Sequence, residues 1–201
     1  EATLSAEHPE ETVFFKYGKN GGATKQLSYT VKYYTKNGDV LGPDDTVTKD
    51  IWVNADSVTV PKSDLGSDLE TKFEGYKLDS INPKLPSEIK NGEAITVYYV
   101  KDTENQKELS YKVQYFTDGV HLESDDITIK KKVWINDTAV PVVSEDFSTA
   151  NDKYVGYKFD RTDPANLPTT INAENGVVKV YYVKDDNQTK KLGYTVQYYK
   201  D

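Results

Sequence analysis

The sequence predicts a β-rich α+β fold made of tandem copies of one small module. Three observations predict it. A block of motifs occurs twice in the same order, with offsets of 81 to 83 residues between equivalent positions. Within each block apolar residues alternate with polar ones at a period of two, the mark of a half-buried strand. Asn-Gly, Asp-Gly and Pro-containing stretches separate these runs at the spacing of turns.

The repeat sets the domain plan. Leu27-Ser28-Tyr29-Thr30-Val31-Lys32-Tyr33-Tyr34 returns as Leu109-Ser110-Tyr111-Lys112-Val113-Gln114-Tyr115-Phe116, and begins again at Leu192-Gly193-Tyr194-Thr195-Val196. Ile51-Trp52-Val53-Asn54 matches Val133-Trp134-Ile135-Asn136, and Gly75-Tyr76-Lys77-Leu78-Asp79 matches Gly156-Tyr157-Lys158-Phe159-Asp160. Val97-Tyr98-Tyr99-Val100-Lys101-Asp102 matches Val180-Tyr181-Tyr182-Val183-Lys184-Asp185. Residues 27–108 are expected to form one repeat unit and residues 109–191 a second. Residues 1–26, with Val13-Phe14-Phe15-Lys16-Tyr17, read as the end of a preceding copy plus a linker, and residues 192–201 as the opening strand of a following one.

Along one unit, Tyr29, Val31 and Tyr33 alternate with Thr30 and Lys32, giving a strand with one buried face. Asn37-Gly38, and Asp118-Gly119 in the second copy, favour the positive φ angles of a hairpin turn. A second strand is expected from about Thr46 to Val53, and from about Ile127 to Ile135. Ser63 to Phe73 fits a short helix, with Ser63 as its cap and Leu65, Leu69 and Phe73 at helical spacing. Gly75 to Leu78 reads as a short strand. Pro83, Pro86 and Asn91-Gly92 mark a long irregular connection. Ile95 to Val100, apolar on both faces, reads as a central strand. Lys101 to Glu108 and Lys184 to Lys191 read as polar linkers, short enough to hold neighbouring units close in an elongated array. The pattern fits a sheet wrapped over one helix, as in a ubiquitin-like β-grasp; an all-β sandwich is the alternative. The expected core is Tyr29, Val31, Trp52, Tyr76, Leu78, Val97 and Tyr99 with their counterparts.

Composition narrows the function. The formal net charge is −8, from 25 basic and 33 acidic residues. Nucleic acid as a main partner is disfavoured, since phosphate binding needs a basic patch. The one basic run, Lys130-Lys131-Lys132, lies in a strand and reads as a charged edge against aggregation. With no Cys, disulfides, thiolate metal sites and cysteine nucleophiles are excluded. No Met is present either, so the chain reads as starting within a longer protein, and no apolar stretch of about 18 residues suggests membrane insertion. A cysteine-free β-repeat fits an exported bacterial protein.

The Tyr-x-Val-x-Tyr-Tyr opening, the Gly-Tyr-Lys-Leu/Phe block and the closing Val-Tyr-Tyr-Val-Lys-Asp resemble the MucBP (mucin-binding protein) repeats of Gram-positive cell-surface proteins. The likeness covers both units. It implies tandem β-grasp modules along a wall-anchored stalk, outside the cell, with adhesion to mucin or another host glycoprotein. The β-grasp B repeats of listerial internalins are a more distant likeness.

Chemistry-bearing residues are sparse. His8 and His121 have no equivalents in the other copy, and a triad would need a His held by an orienting group. Asp44-Asp45 and Asp125-Asp126 recur before the second strand. They are candidates for Ca²⁺ only with further oxygen ligands, because adjacent residues of an extended chain point apart. Lys77/Lys158, Asn54/Asn136 and Asp79/Asp160 recur and supply the residue types of an isopeptide cross-link, or plain polar strand faces. Leu167-Pro168-Thr169-Thr170 lacks the Gly of a sortase signal. Tyr34, Tyr98, Phe116, Tyr181 and Tyr199 fall opposite the core residues of their strands. Exposed rings there stack on sugars or anchor protein interfaces. The expectation is a non-enzymatic, cofactor-free surface adhesin, extended and monomeric, binding mucin or host glycoprotein. The alternatives are a structural stalk and capture of host protein such as immunoglobulin.

Overall fold

The computed structural model describes Thr12 and residues 14–201, so His8 and Val13 lie outside the described residues. The chain divides into two compact units, Glu1–Lys72 with Leu78–Val100, and Phe73–Lys77 with Lys101–Asp201.

In unit 1, β1 (Thr24–Thr35) is the long strand foreseen from the Tyr-x-Val-x-Tyr alternation. Its inward positions Leu27, Tyr29, Val31 and Tyr33 are all buried, and its outward positions are half-buried. β1 pairs antiparallel with β2 (Asp45–Trp52) and parallel with β6 (Ala94–Lys101). With β4 (Tyr76–Asn82) the strand order is β2-β1-β6-β4. β6 therefore is a central strand, and Ile95, Val97 and Tyr99 complete the inner face. A second layer covers that face: a two-stranded sheet of β3 (Ser57–Val60) and β5 (Ser87–Lys90) contributes Val60 and Ile89. Neither strand was expected from the sequence, because each has only four residues and β5 lies among the prolines.

The helix expected over 63–73 does not form. A single 3-10 turn, Lys62–Leu65, ends at Gly66, whose φ of 102° leaves the helical region. A second turn closes with Thr71 N donating to Asp68 O. Leu65 and Leu69 are still buried, and Tyr99 Oη donates to the Leu69 carbonyl at 2.7 Å. The apolar residues reach the core; Gly66, with Ser and Asp around it, disfavours the helical backbone that would otherwise carry them. No α-helix occurs among the described residues, so the α component of the expected α+β class is absent and the fold is β-rich throughout.

Unit 2 repeats the plan. β7 (Gln106–Thr117) pairs parallel with β13 (Val177–Lys184), and antiparallel with β9 (Ile127–Trp134) and the two-residue β8 (Val120–His121). β11 (Tyr157–Asp163) flanks β13, giving the path β11-β13-β7-β8. β10 (Ala139–Val142) and β12 (Thr169–Asn172) form the covering pair. The core is Tyr111, Val113, Tyr115, Val140, Val142, Phe147, Val178, Val180 and Tyr182. Each such side chain taken from water contributes about 1.5–3 kcal/mol, and Tyr111, Tyr115 and Tyr182 are among the largest fully buried side chains. The Asp118-Gly119 turn has φ of 44° and 80°, as its hairpin role requires.

Two further expectations change. Trp52, Tyr76 and Leu78 are half-buried rather than core, because Trp52 is the last residue of the edge strand β2 and β4 is the other edge of the sheet. The linker read as residues 101–108 shrinks to 102–105, since β6 runs to Lys101 and β7 begins at Gln106. Leu192–Asp201 is exposed and lies outside any strand. Phe14, Phe15 and Tyr17 are likewise exposed and outside any strand. No helix of the described residues is long and apolar enough to cross a membrane.

Candidate ligand-contact surface

The outer face of the unit 2 sheet carries one row of unlike side chains in strand register. Arg161 on β11 is the register partner of Tyr181 on β13, Tyr181 of Phe116 on β7, and Phe116 of His121 on β8. Side chains at register partners stand about 4.5–5.5 Å apart at Cβ, so the four meet. The Phe116 and Tyr181 rings stack with centroids 5.0 Å apart, and Phe116 and His121 with centroids 4.8 Å apart. The Arg161 guanidinium carbon lies 4.2 Å from the Tyr181 ring centroid.

A break in register brings Arg161 there. Phe159 pairs with Tyr182 and packs against the core, whereas Arg161 pairs with Tyr181; the shift leaves Asp160 as the extra residue of a bulge. Two residues apart on a regular strand, Phe159 and Arg161 would share a face, and the bulge turns Arg161 outward. Asp160 pairs with the guanidinium, and Asp126 Oδ1 lies 2.7 Å from His121 Nε2. The row is thus a π surface capped at one end by a guanidinium and at the other by an imidazole, each held by a carboxylate. Flat rings flanked by such donors suit the apolar faces and hydroxyls of sugars, or an aromatic protein anchor.

Unit 1 has a plainer row. Tyr98 and Tyr34 are register partners and Tyr34 bridges to Val40. Ser80 stands where the second copy has Arg161. Among the residues singled out from the sequence, Tyr34, Tyr98, Phe116 and Tyr181 do lie on outer faces, half-buried. Tyr199 is 88 % exposed and donates to Gln197 Oε1 at 2.8 Å, apart from any such row. His121, read from the sequence as surface decoration, and Arg161, the only Arg of the chain, were missed. Only the cross-strand register joins them to Phe116 and Tyr181.

The recurring aspartates serve the fold. Asp45 accepts from Tyr33 Oη at 2.6 Å and from Lys72 at 3.1 Å; Asp125 accepts from Tyr154 Oη at 2.5 Å. Those hydroxyls hold the Asp45 and Asp125 carboxyls below the usual carboxylate range. Asp44 lies 4.0 Å from Lys32. No group of three or more potential metal ligands converges among the described residues. The residues of the imagined cross-link are engaged apart: Lys77 with Asp102, Asp79 with Lys36, and Asn136 with the Glu74 carbonyl.

No family model and no curated protein sequence matches the chain. Solved structures do. The type 2 repeat of the mucus binding protein MUB from Lactobacillus reuteri is similar at 15% identity, covering 79% of this chain and 100% of that one, with a TM-score of 0.28. Mub-RV is similar at 14% identity, covering 79% and 99%, with a TM-score of 0.27. Streptococcal SHIRT (high identity repeats in tandem) domains 3–4 from a cell surface protein are similar at 13% identity, covering 79% and 98%, with a TM-score of 0.31.

Proposed function

We propose that this chain is a non-enzymatic repeat segment of a bacterial surface adhesin, and that unit 2 contacts mucin or a similar host glycoprotein through its outer aromatic row. The observation that carries this is the stack Arg161–Tyr181–Phe116–His121, two rings flanked by a guanidinium and an imidazole on one outer sheet face. The core needs none of these four side chains. The MucBP-like motifs of the sequence support the extracellular reading. The strand order β2-β1-β6-β4, with its central parallel pair, supports a β-grasp-type module that has lost its helix. On this reading 27–108 and 109–191 are the repeat units, flanked by parts of two more.

The test is interferometry of the chain on immobilised intestinal mucin, deglycosylated mucin and pooled immunoglobulin. Binding to mucin that disappears on deglycosylation, and that falls at least about tenfold in Tyr181→Ala or Phe116→Ala, is the expected result; hot-spot aromatics are worth about 2 kcal/mol or more. Retained affinity in both variants removes the row from the site. A second reading, a spacer that projects a binding head elsewhere, is favoured by unit 1, where the core recurs but Ser80 and Val40 replace Arg161 and His121. A folded sample that binds none of the three surfaces selects the spacer, and binding to immunoglobulin alone selects protein capture.

A further inference from the structure

The Trp-x-Asn block lies outside the core, yet it recurs in both copies. Unit 2 shows what it does. Trp134 Nε1 donates to the Gly75 carbonyl at 2.8 Å, and Asn136 Nδ2 donates to the Glu74 carbonyl at 2.8 Å. The Tyr76 ring meets the indole edge-on at 5.2 Å, and Lys101 Nζ lies 4.3 Å from the indole centroid. Gly75 is buried beneath this clamp. Its φ is +80°, and a Cβ there would come within 2.8–2.9 Å of Asn136, Ile135 and Trp134 side-chain atoms. Both acceptors are main-chain carbonyls, so the clamp reads a backbone shape and requires only that the residue at its centre be Gly.

That shape occurs again, uncovered. Gly156 has φ +85°. Asp185 N donates to Gly156 O at 2.9 Å, as Asp102 N does to Gly75 O at 2.8 Å; Tyr157 N donates to Tyr154 O at 3.1 Å, as Tyr76 N does to Phe73 O at 3.1 Å. Tyr157 and Lys184 stand where Tyr76 and Lys101 stand. Yet a Cβ on Gly156 would meet nothing within 4 Å, and Val155 is 95 % exposed. The donor block also recurs, at Trp52-Val53-Asn54. Its backbone is seated in the same way, with Val53 N on Ala23 O at 2.9 Å matching Ile135 N on Asn105 O at 3.0 Å. Lys19 Nζ lies 4.8 Å from the Trp52 ring centroid, as Lys101 lies over Trp134.

We propose that the Gly156 turn is a docking site for the Trp-x-Asn block of a further copy of this repeat. The incoming indole N–H donates to the Gly156 carbonyl, the Asn amide to the Val155 carbonyl, and the ring packs between Tyr157 and Lys184. The change from Glu74 to Val155 does not matter, since only the carbonyl is read. The device is independent of any glycan contact.

The test extends the full chain by appending residues 119–191 directly after Asp201, so that residues 192–201 open a third copy in register. Indole N–H hydrogen exchange, read by NMR, is expected to be slowed at least tenfold at the added tryptophan relative to the urea-unfolded chain, as at Trp134. Gly156→Val is expected to abolish that slowing and leave Trp134 unchanged. An added indole exchanging as in the unfolded chain, while the added strand amides are protected, overturns the proposal, as does slowing that survives Gly156→Val. If the added copy fails to fold, the unextended chain gives a second measurement. Amide shifts of Gly156 and Tyr157 that grow towards a concentration of about 1 mM, and vanish in Trp52→Phe, support docking between molecules; their absence overturns it.

Discussion

Tyr29 and Tyr111 occupy one position of the repeat, 1% and 2% exposed, yet their hydroxyls have different surroundings. Tyr111 Oη donates to Asp146 Oδ2 at 2.7 Å, and that carboxylate also receives Lys131 Nζ and, at 3.3 Å, Val143 N. Tyr29 Oη is buried with no hydrogen-bond partner among the described residues; the matching carboxylate, Asp64, pairs instead with Lys49 at 3.0 Å. Tyr→Phe at each site removes one oxygen and little else. At Tyr111 it deletes a hydrogen bond to a charged acceptor, worth about 1.5–3 kcal/mol. Asp146 keeps two other donors, so a loss near the low end, about 1.5–2 kcal/mol, is expected. At Tyr29 the hydroxyl was desolvated for nothing in return, a cost of about 1–3 kcal/mol, so Tyr29→Phe should be neutral or stabilising by about 1 kcal/mol. The two substitutions should differ by about 1.5–3 kcal/mol, roughly tenfold to a hundredfold in the unfolding constant. Urea titration followed through the amide signals of β1 and β7 reads each unit separately. Equal losses in both variants, or a loss above about 1 kcal/mol in Tyr29→Phe, would refute the reasoning.

Stability should also fall in acid. Tyr33 and Lys72 lower the Asp45 pKa and Tyr154 lowers that of Asp125; for Asp146 burial pushes upward and is outweighed by Lys131, Tyr111 and Val143 N. Folded values below the unfolded one contribute stability that is complete above the ordinary carboxylate pKa of about 4 and lost as pH falls through the folded values, so the urea midpoint should be flat from neutrality to about pH 5 and drop below about pH 4. In base the sign reverses: burial pushes Tyr99 and Tyr182 up to about 12, so stability held below the unfolded pKa of about 10 is lost as pH rises towards 12, and the last phase of tyrosine ionisation at 295 nm, that of the buried rings, should coincide with loss of near-UV dichroism. Gly75→Ala should cost more than Gly156→Ala in a thermal melt; both incur positive-φ strain of about 1–2 kcal/mol, but only at Gly75 does the new methyl strike the Trp134–Asn136 clamp.

The repeat and the long β1 and β7 strands were legible because their inward residues recur at a period of two in both copies, and the central β6 because it is apolar on both faces. The helix misread has a local cause: Leu65 and Leu69 have helical spacing and are buried, but Gly66 between them adopts φ +102° and divides the segment into turns. β3 and β5 have four residues each and become strands by pairing with one another across about thirty positions, which no local pattern reveals. Trp52 and Trp134 looked like core because large aromatics usually are. Trp134 instead spends its ring and N–H on a glycine turn 59 residues away in sequence. The outer rings were legible from alternation. Arg161 and His121 were not, since a bulge and a two-residue strand bring them into the row.

The two copies diverge in a patterned way, and the pattern separates folding from recognition. Inward positions keep their chemistry: Tyr29, Val31 and Tyr33 against Tyr111, Val113 and Tyr115; Val97 and Tyr99 against Val180 and Tyr182. The clamp residues Gly-Tyr and Trp-x-Asn are kept as well, though they lie outside that core. The outer row keeps its two central rings, Tyr98 and Tyr34 against Tyr181 and Phe116, but changes at both ends, where Ser80 and Val40 give way to Arg161 and His121. A packed core tolerates few changes of volume, so its sameness follows from folding alone. A clamp kept outside the core needs a further reason, and holding a Gly turn through backbone carbonyls supplies one. The outer row answers to neither demand, so its change from a neutral Tyr pair to a stack ending in Arg and His is the difference that the proposed contact with a glycoprotein would use.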